Sequence, residues 1–460
     1  MKKNTIWRFA VATFAVGVLG TGSFSCSLFT GPKKGSNVDL SAADVISAEV
    51  WLKIGFADSP GGGEYEIKRD GNVVLEGSFN GTDTVVVDTT VEPSRSYIYE
   101  GYRMEEGKAA EESSPVEVTT PDTTNSNFSW ELYKFGDLAA TGMSSELYGV
   151  AVINDTDIWA VGKIYTADSV GMCNAVHWDG KGWELTGIPF TGPCSGGVLY
   201  PPLKAVCQFD SKRILASDGG SIAKYDGQTA TIDCGMNSLL NGAINKIFLP
   251  DTGNIYAVGN SGAAVYSGSH GWSRIQSNTT EDLFDIYSGN GKDIYVAGGN
   301  LQDYSGILLK GNSNGFQTVE EGRNLPNLSS LFHPYFDGVA KTVWVSNAGT
   351  VYFGGDGLYI YTGGETAEVR TLQGNRGSSN ISGMYFGFIS QIRGISENDM
   401  VLVGERNTIR YFNGAEWTQL GMPYDPSSDY TWLSVGMTPD MIVAVGFTTN
   451  DAVIMMLKRE

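Results

Sequence analysis

The residues best suited to recognising a ligand are aromatic, and they fall where an otherwise regular chain is interrupted. Tyr165, Phe190 and Tyr200 lie in segments 163–174 and 189–202, and Phe332, His333, Tyr335 and Phe336 in 320–338. Tyr385 and Phe386 lie in 373–387, and Tyr424, Tyr430 and Trp432 in or beside 421–431. Exposed aromatic faces stack on sugar rings and anchor protein partners, so this set points to binding. We assign Tyr165, Tyr200, Phe332, His333, Tyr335, Tyr385, Tyr424 and Tyr430 as ligand-binding. Any one of them could instead cap the end of a strand; the cluster carries the reading.

Bond-making chemistry finds less support. The three His, at 177, 270 and 333, are too scattered for a metal centre, and no metal or cofactor is expected. There is no phosphate loop, no Gly-x-Ser-x-Gly, no His-Glu-x-x-His and no Asp-rich calcium loop. A glycosidase or lyase needs paired carboxylates at a central mouth; Glu320, Glu321 and Asp337 could be nearby, but so could any surface acid. The expectation is a non-enzymatic protein that binds a glycan or a protein. A polysaccharide-active enzyme and an envelope assembly scaffold are the alternatives.

The elements that position these loops are legible as a repeat. Asp157-Ile158-Trp159-Ala160-Val161-Gly162, Asn254-Ile255-Tyr256-Ala257-Val258-Gly259 and Asp293-Ile294-Tyr295-Val296-Ala297-Gly298 are its clearest copies. Looser ones occur at 213–217, 351–355, 400–404 and 441–446. A strand-and-turn unit recurring about every 40–55 residues predicts a β-propeller, here of seven blades. A second signature, Trp178-Asp179-Gly180-Lys181-Gly182-Trp183, returns near 266–272 and 411–417 and reads as a tight turn between a third and a fourth strand. Its Asp and Gly are structural on this reading, and its Trp is expected to pack between blades.

The last unit, 433–457, holds only three strands, whereas 128–135 holds a single one whose Ser129-Trp130-Glu131-Leu132 matches Gly182-Trp183-Glu184-Leu185. The strand of Trp130 is therefore predicted to complete the final blade and close the ring, removing exposed edges. Short turns then share one face of the disc and the aromatic-rich segments the other. The chain enters the ring from the short-turn side, so whatever precedes residue 128 is expected there, with the long-loop face turned away from the membrane.

Composition narrows the partners. The 460 residues carry a formal charge of −20, which argues against nucleic acid, whose phosphates need a clustered basic face. Residues 1–25 read as an export signal: Lys2, Lys3 and Arg8, then an apolar run over 9–20 too short to anchor in a bilayer, then small residues. Setting Cys26 aside leaves Cys173, Cys194, Cys207 and Cys234, an even set suited to an oxidising compartment. Cys207 and Cys234 should lie on the first and last strands of one blade. Cys173–Cys194 is one possible bridge, though four Cys allow three connectivities.

Residues 26–37 read as a polar tether, 38–120 as a small β-sandwich with Trp51 as a core aromatic, 121–127 as a linker and 128–460 as the propeller. Asp70-Gly71 marks a hairpin in the sandwich.

Three resemblances add to this reading. Ser25-Cys26 resembles the processing site of bacterial lipoproteins, which implies lipidation of Cys26 and anchoring to the cell envelope, at the outer membrane or cell surface. Ser23 and Phe24 depart from that pattern and also suit an ordinary cleavage site. Val91-Glu92-Pro93-Ser94-Arg95-Ser96-Tyr97-Ile98-Tyr99 resembles the tyrosine-corner region of fibronectin type III domains, implying a spacer or adhesive module. The repeat is similar to propellers of the BNR and kelch-like classes. No copy keeps the Ser, Asp and Thr of the BNR sialidase box, so no sialidase residue carries over. Altogether the chain reads as an all-β, monomeric, exported protein: a seven-bladed β-propeller closed by an N-terminal strand and preceded by a fibronectin type III-like β-sandwich.

Overall fold

The computed structural model describes residues 37–57, 62–167, 172–191, 196–322, 332–333, 336, 338–347, 349–361, 369–371, 388–422 and 429–460, with 332–333 and 369–371 as backbone only. They divide into two compact units. The first holds the described residues up to Ser41 with Ile54–Asp83 and Ser96–Thr119; the second holds Ala42–Lys53, Thr84–Arg95 and Thr120–Glu460.

In the first unit, Gly63–Arg69 pairs with Asn72–Phe79 and with Ser96–Glu105. The hairpin at Asp70-Gly71 has φ of 51° and 79°, the left-handed pair that a two-residue turn between twisted strands requires. Tyr97 and Tyr99 are buried on Ser96–Glu105. Gly101 on the same strand leaves room for the side chains of Leu40 and Ile54.

The second unit is a β-propeller. Among the described residues it contains seven antiparallel sheets whose first strands are Glu146–Asn154, Ala205–Gln208, Ile244–Asp251, Asp282–Tyr287, Ala340–Val345, Ile389–Ser396 and Thr431–Met437. These inner strands lie side by side in chain order, and the last lies beside the first. The outer strand of the seventh sheet is Phe128–Phe135, antiparallel to Ala452–Arg459 with Trp130 opposite Leu457, as the repeat spacing predicts. The indole of Trp130 does not pack between sheets; it stays 45% exposed. Tyr133 and Phe135 of the same strand meet Trp178 and Trp183 of the first sheet instead. Trp51 and Ile46 are buried in this unit, in one cluster with Trp344, Tyr352, Phe412 and Trp417.

The recurrent Gly of the second strands now has a physical cause. In the first sheet Leu147 faces Gly162 but Gly149 faces Val161, so Tyr148 is an extra residue bulged out of the inner strand. The same shift recurs at Asn245, Phe284, Lys341, Ser390 and Leu433. A bulge turns the inner backbone inward. A Cβ at Gly162, Gly259, Gly355, Gly404 or Gly446 would overlap the carbonyl oxygen of Glu146, Ala243, Val339, Phe388 or Thr431. In the second sheet Asp218 holds this place, and regular pairing there starts only at Ala205 opposite Ser217.

The Asp of the Asp-Gly turns is structural, as read from the sequence. Asp179 Oδ1 accepts the N–H groups of Lys181 and Gly182, and Asp226 and Asn413 repeat this in their own turns. Of the possible pairings, the bridge Cys173–Cys194 is not formed, since Cys173 and Cys207 are free thiols. Cys207 does lie on the first strand of the second sheet. Cys234 sits one residue past its last strand, Ala230–Asp233, and is disulfide-bonded. Cys194 and Cys26 fall outside the described residues.

Candidate binding site

Each inner strand puts one residue forward at the same level of the inner wall, in six of the seven sheets directly after the bulge. Around the ring these are Gly149, Ala205, Lys246, Asp285, Thr342, Gln391 and Ser434, each opposite the residue before the recurrent Gly or its Asp218 substitute. Where the side chain can accept a hydrogen bond, it takes the backbone N–H of the next sheet. Asp285 Oδ2 accepts from Val343 N at 3.2 Å and Thr342 Oγ1 from Ile392 N at 3.0 Å. Gln391 Oε1 accepts from Val435 N at 2.8 Å and Ser434 Oγ from Val150 N at 3.3 Å. Two side-chain bonds reinforce the belt, Thr342 Oγ1 to Asp285 and Ser434 Oγ to Gln391, each 2.8 Å.

The belt runs from the fourth sheet round to the first and then stops. Gly149 and Ala205 have no acceptor to offer, so Val206 and Ile247, which occupy the ladder position of Val150, receive none from their neighbours. A Cβ built at Gly149 would lie 3.4 Å from Val206 N, which shows where a side chain there would aim. Lys246, the third member of the gap, is a donor.

The charges are concentrated beside the gap. Asp285 is buried and held by Arg393 through Nη2–Oδ1 at 2.8 Å and Nη1–Oδ2 at 2.9 Å. Burial alone would raise the Asp285 carboxyl, but the charges of Arg393 and then Lys246 outweigh it and hold it below its ordinary value. Lys246 keeps some accessible surface yet lies deep in the ring. Burial, and then the nearby Arg393 charge, bring its ammonium down to about 8. Lys341 is likewise lowered to about 8 by burial and sits 3.8 Å over the ring of Phe284. Burial pushes the Cys207 thiol up to about 12, against the pull of Lys246.

Of these groups Lys246, Arg393 and Cys207 border a cavity of about 340 Å³, lined by residues 150–152, 206–208, 246–249, 286–287, 393–394 and 435–437. All come from six inner strands at or beyond the level of the bulges and run toward the strand ends, so the cavity lies toward the turns that lead into the second strands. That is the short-turn end.

The sequence-assigned residues fall elsewhere. Tyr165 ends the second strand of the first sheet, its N–H bonded to Ser145 Oγ. Tyr200 is 46% exposed, and Val198 and Leu199 beside it are also exposed. Tyr430 stacks on Trp432 and lies 5.3 Å beneath the Lys134 ammonium. Phe332 and His333 form a two-residue outer strand paired with Arg370 and Val369, rather than a loop. Tyr335, Tyr385 and Tyr424 lie outside the described residues, as do Phe386 and Asp337. Phe190, Phe336 and Trp432, which read as exposed, are buried in the cores between sheets. Glu320 and Glu321 belong to the strand Gly315–Gly322. Among the described residues no three His, Cys, Asp or Glu side chains converge on a metal site.

The fold and the cavity define a β-propeller with a cation-bearing channel. No family model matches the chain, and no curated protein matches it. It is similar to the solved structure "YCF48 bound to D1 peptide", with a TM-score of 0.50 and 11% identity over 74% of this chain and 98% of that one. Another similar structure is "Crystal structure of WD40 beta propeller domain of Doa1", with a TM-score of 0.48 and 16% identity over 73% and 98%. At this identity the first likeness shows the fold alone.

Proposed function

We propose that this chain is a non-enzymatic binding scaffold of the cell envelope whose propeller receives a segment of a partner protein at the short-turn end of its channel. The observation that carries the reading is the cavity: a concave site on rigid strands with a few polar groups gathered at one level is the usual form of a ligand pocket. The D1 peptide bound by YCF48 is in keeping with a protein partner. On this proposal each of the seven sheets is one blade, residues 38–120 contribute a fibronectin type III-like spacer, and lipidation of Cys26 anchors the exported protein to the envelope.

A second reading places a glycan or protein on the long-loop face. It is favoured by the exposed run Val198-Leu199-Tyr200 and would use Tyr165, Tyr200, Phe332, His333, Tyr335, Tyr385, Tyr424 and Tyr430. Placing a photo-crosslinking amino acid at Gln208 or at Tyr200 in the native host separates the two. A discrete protein adduct from Gln208 supports the channel. Adducts from Tyr200 alone, or glycan-array binding abolished at Tyr200 and Tyr430, move the site to the loops.

A further inference from the structure

The break in the channel belt is small, specific and polar. Two consecutive belt positions carry Gly149 and Ala205, the residues with the least side chain, and the third carries Lys246. The N–H groups opposite the first two, on Val206 and Ile247, are donors, and so is the ammonium. Three donors from neighbouring strands thus face a place where, among the described residues, no belt side chain supplies an acceptor. Lys246 forms no ion pair among the described residues. The one carboxylate near it, Asp285, is already engaged by both terminal nitrogens of Arg393.

The next position around the ring shows what completes such a set. The Asp285 carboxylate accepts from Ile286 N at 3.1 Å with one oxygen and from Val343 N at 3.2 Å with the other. One carboxylate therefore bridges successive N–H groups of adjacent inner strands. Val206 N and Ile247 N are the same kind of pair, two sheets earlier, with a lysine in place of Arg393 as the cation.

We propose that the gap at Gly149, Ala205 and Lys246 is a carboxylate-binding site, in which an incoming carboxylate accepts from Val206 N, Ile247 N and the Lys246 ammonium. The site sets a cationic point inside a chain of formal charge −20. It borders the 340 Å³ cavity, which residues 206, 246 and 247 all line, so a group entering from the short-turn end reaches it. The carboxylate belongs either to a free small acid or to a peptide. The inference rests on the channel being the binding site and goes further by naming the group it holds.

The test is calorimetric titration of the full chain with succinate, and with a tetrapeptide whose only carboxylate is its C-terminus, free or amidated. The unaltered protein is expected to bind at least one free-carboxylate probe and to ignore the amidated peptide. Peptide binding assigns the carboxylate to a polypeptide; succinate binding alone assigns it to a free acid. Lys246→Met removes the cation. Ala205→Ser places a hydroxyl where it can take Ile247 N, as Ser434 takes Val150 N, so that the protein fills its own gap. Each is expected to weaken binding about tenfold or more, the loss of one charged or backbone hydrogen bond. Ala205→Ser is conservative enough to remain folded if Lys246→Met does not. Equal affinity in both variants, or no binding of either probe by the unaltered protein, overturns the carboxylate site. A Gln208 crosslink that persists in that case leaves the broader reading standing.

Discussion

Arg393 reaches past an entire sheet to hold Asp285, closing two hydrogen bonds of 2.8 and 2.9 Å between residues 108 apart in the chain. The guanidinium also donates to the carbonyls of Ile392 and Val343, so it fastens the sixth inner strand to the fifth and the fourth at once. A bidentate pair of this kind fixes geometry as well as charge.

Removing one partner of a buried pair leaves the other charge uncompensated. Arg393→Met is expected to cost about 3–5 kcal/mol in urea unfolding. Adding Asp285→Asn to it should restore part of the loss, because the stranded carboxylate is gone. A single-variant loss below about 1 kcal/mol would show that the pair is not what joins these strands.

Gly446→Ala should destabilise by about 1–3 kcal/mol, since its methyl group would overlap the Thr431 carbonyl at the bulge. Gly182→Ala, at a turn position where a Cβ meets nothing, should change stability by well under 1 kcal/mol. Equal costs for the two would sink the account of the recurrent Gly.

Succinate affinity should depend on pH through Lys246. Its folded value is drawn down to about 8, first by burial and then by Arg393, with Asp285 and Cys207 acting the other way. Affinity should hold between pH 6 and 7 and decline as pH rises through about 8, while Lys246→Met stays flat. A bound carboxylate favours the charged ammonium, so binding near pH 8 should take up protons, measurable as a buffer-dependent heat.

Glu320 is shifted by the same cause, burial, in the opposite direction. Burial alone lifts its carboxyl from 4.5 to about 7. Between those values the folded protein holds a proton that the unfolded chain has released, so stability should fall as pH rises from about 4.5 to 7. Glu320→Gln should remove that slope and unfold at a higher temperature at pH 8. An unchanged slope in the variant would place the proton elsewhere.

The ring's plan could be read from residue types because it repeats. The apolar strand ending in Gly, the Asp-Gly turn and the single strand of Trp130 each recur or complete a count, and the structure shows all three at work. What the Gly was for stayed hidden, since its collision partner lies on the preceding strand and only the bulge brings the two together. The belt was harder still. Gly149, Ala205, Lys246, Asp285, Thr342, Gln391 and Ser434 share a position but no chemistry, and only alignment of the inner strands through their pairing with the Gly positions brings them into register. Loop aromatics misled for the opposite reason: Phe190, Phe336 and Trp432 look alike in sequence whether they meet solvent or, as here, seal the cores between sheets.

The pairing of Phe128–Phe135 with Ala452–Arg459 also governs the order of assembly in time. The first propeller strand to leave the ribosome waits for the last, and until Ala452–Arg459 arrives both margins of the array are bare. So distant a contact is slow to form, and the unfinished intermediate offers strand edges to its own copies. A chain lacking Ala452–Arg459 should therefore fail by aggregating during synthesis rather than by losing one sheet in the finished molecule.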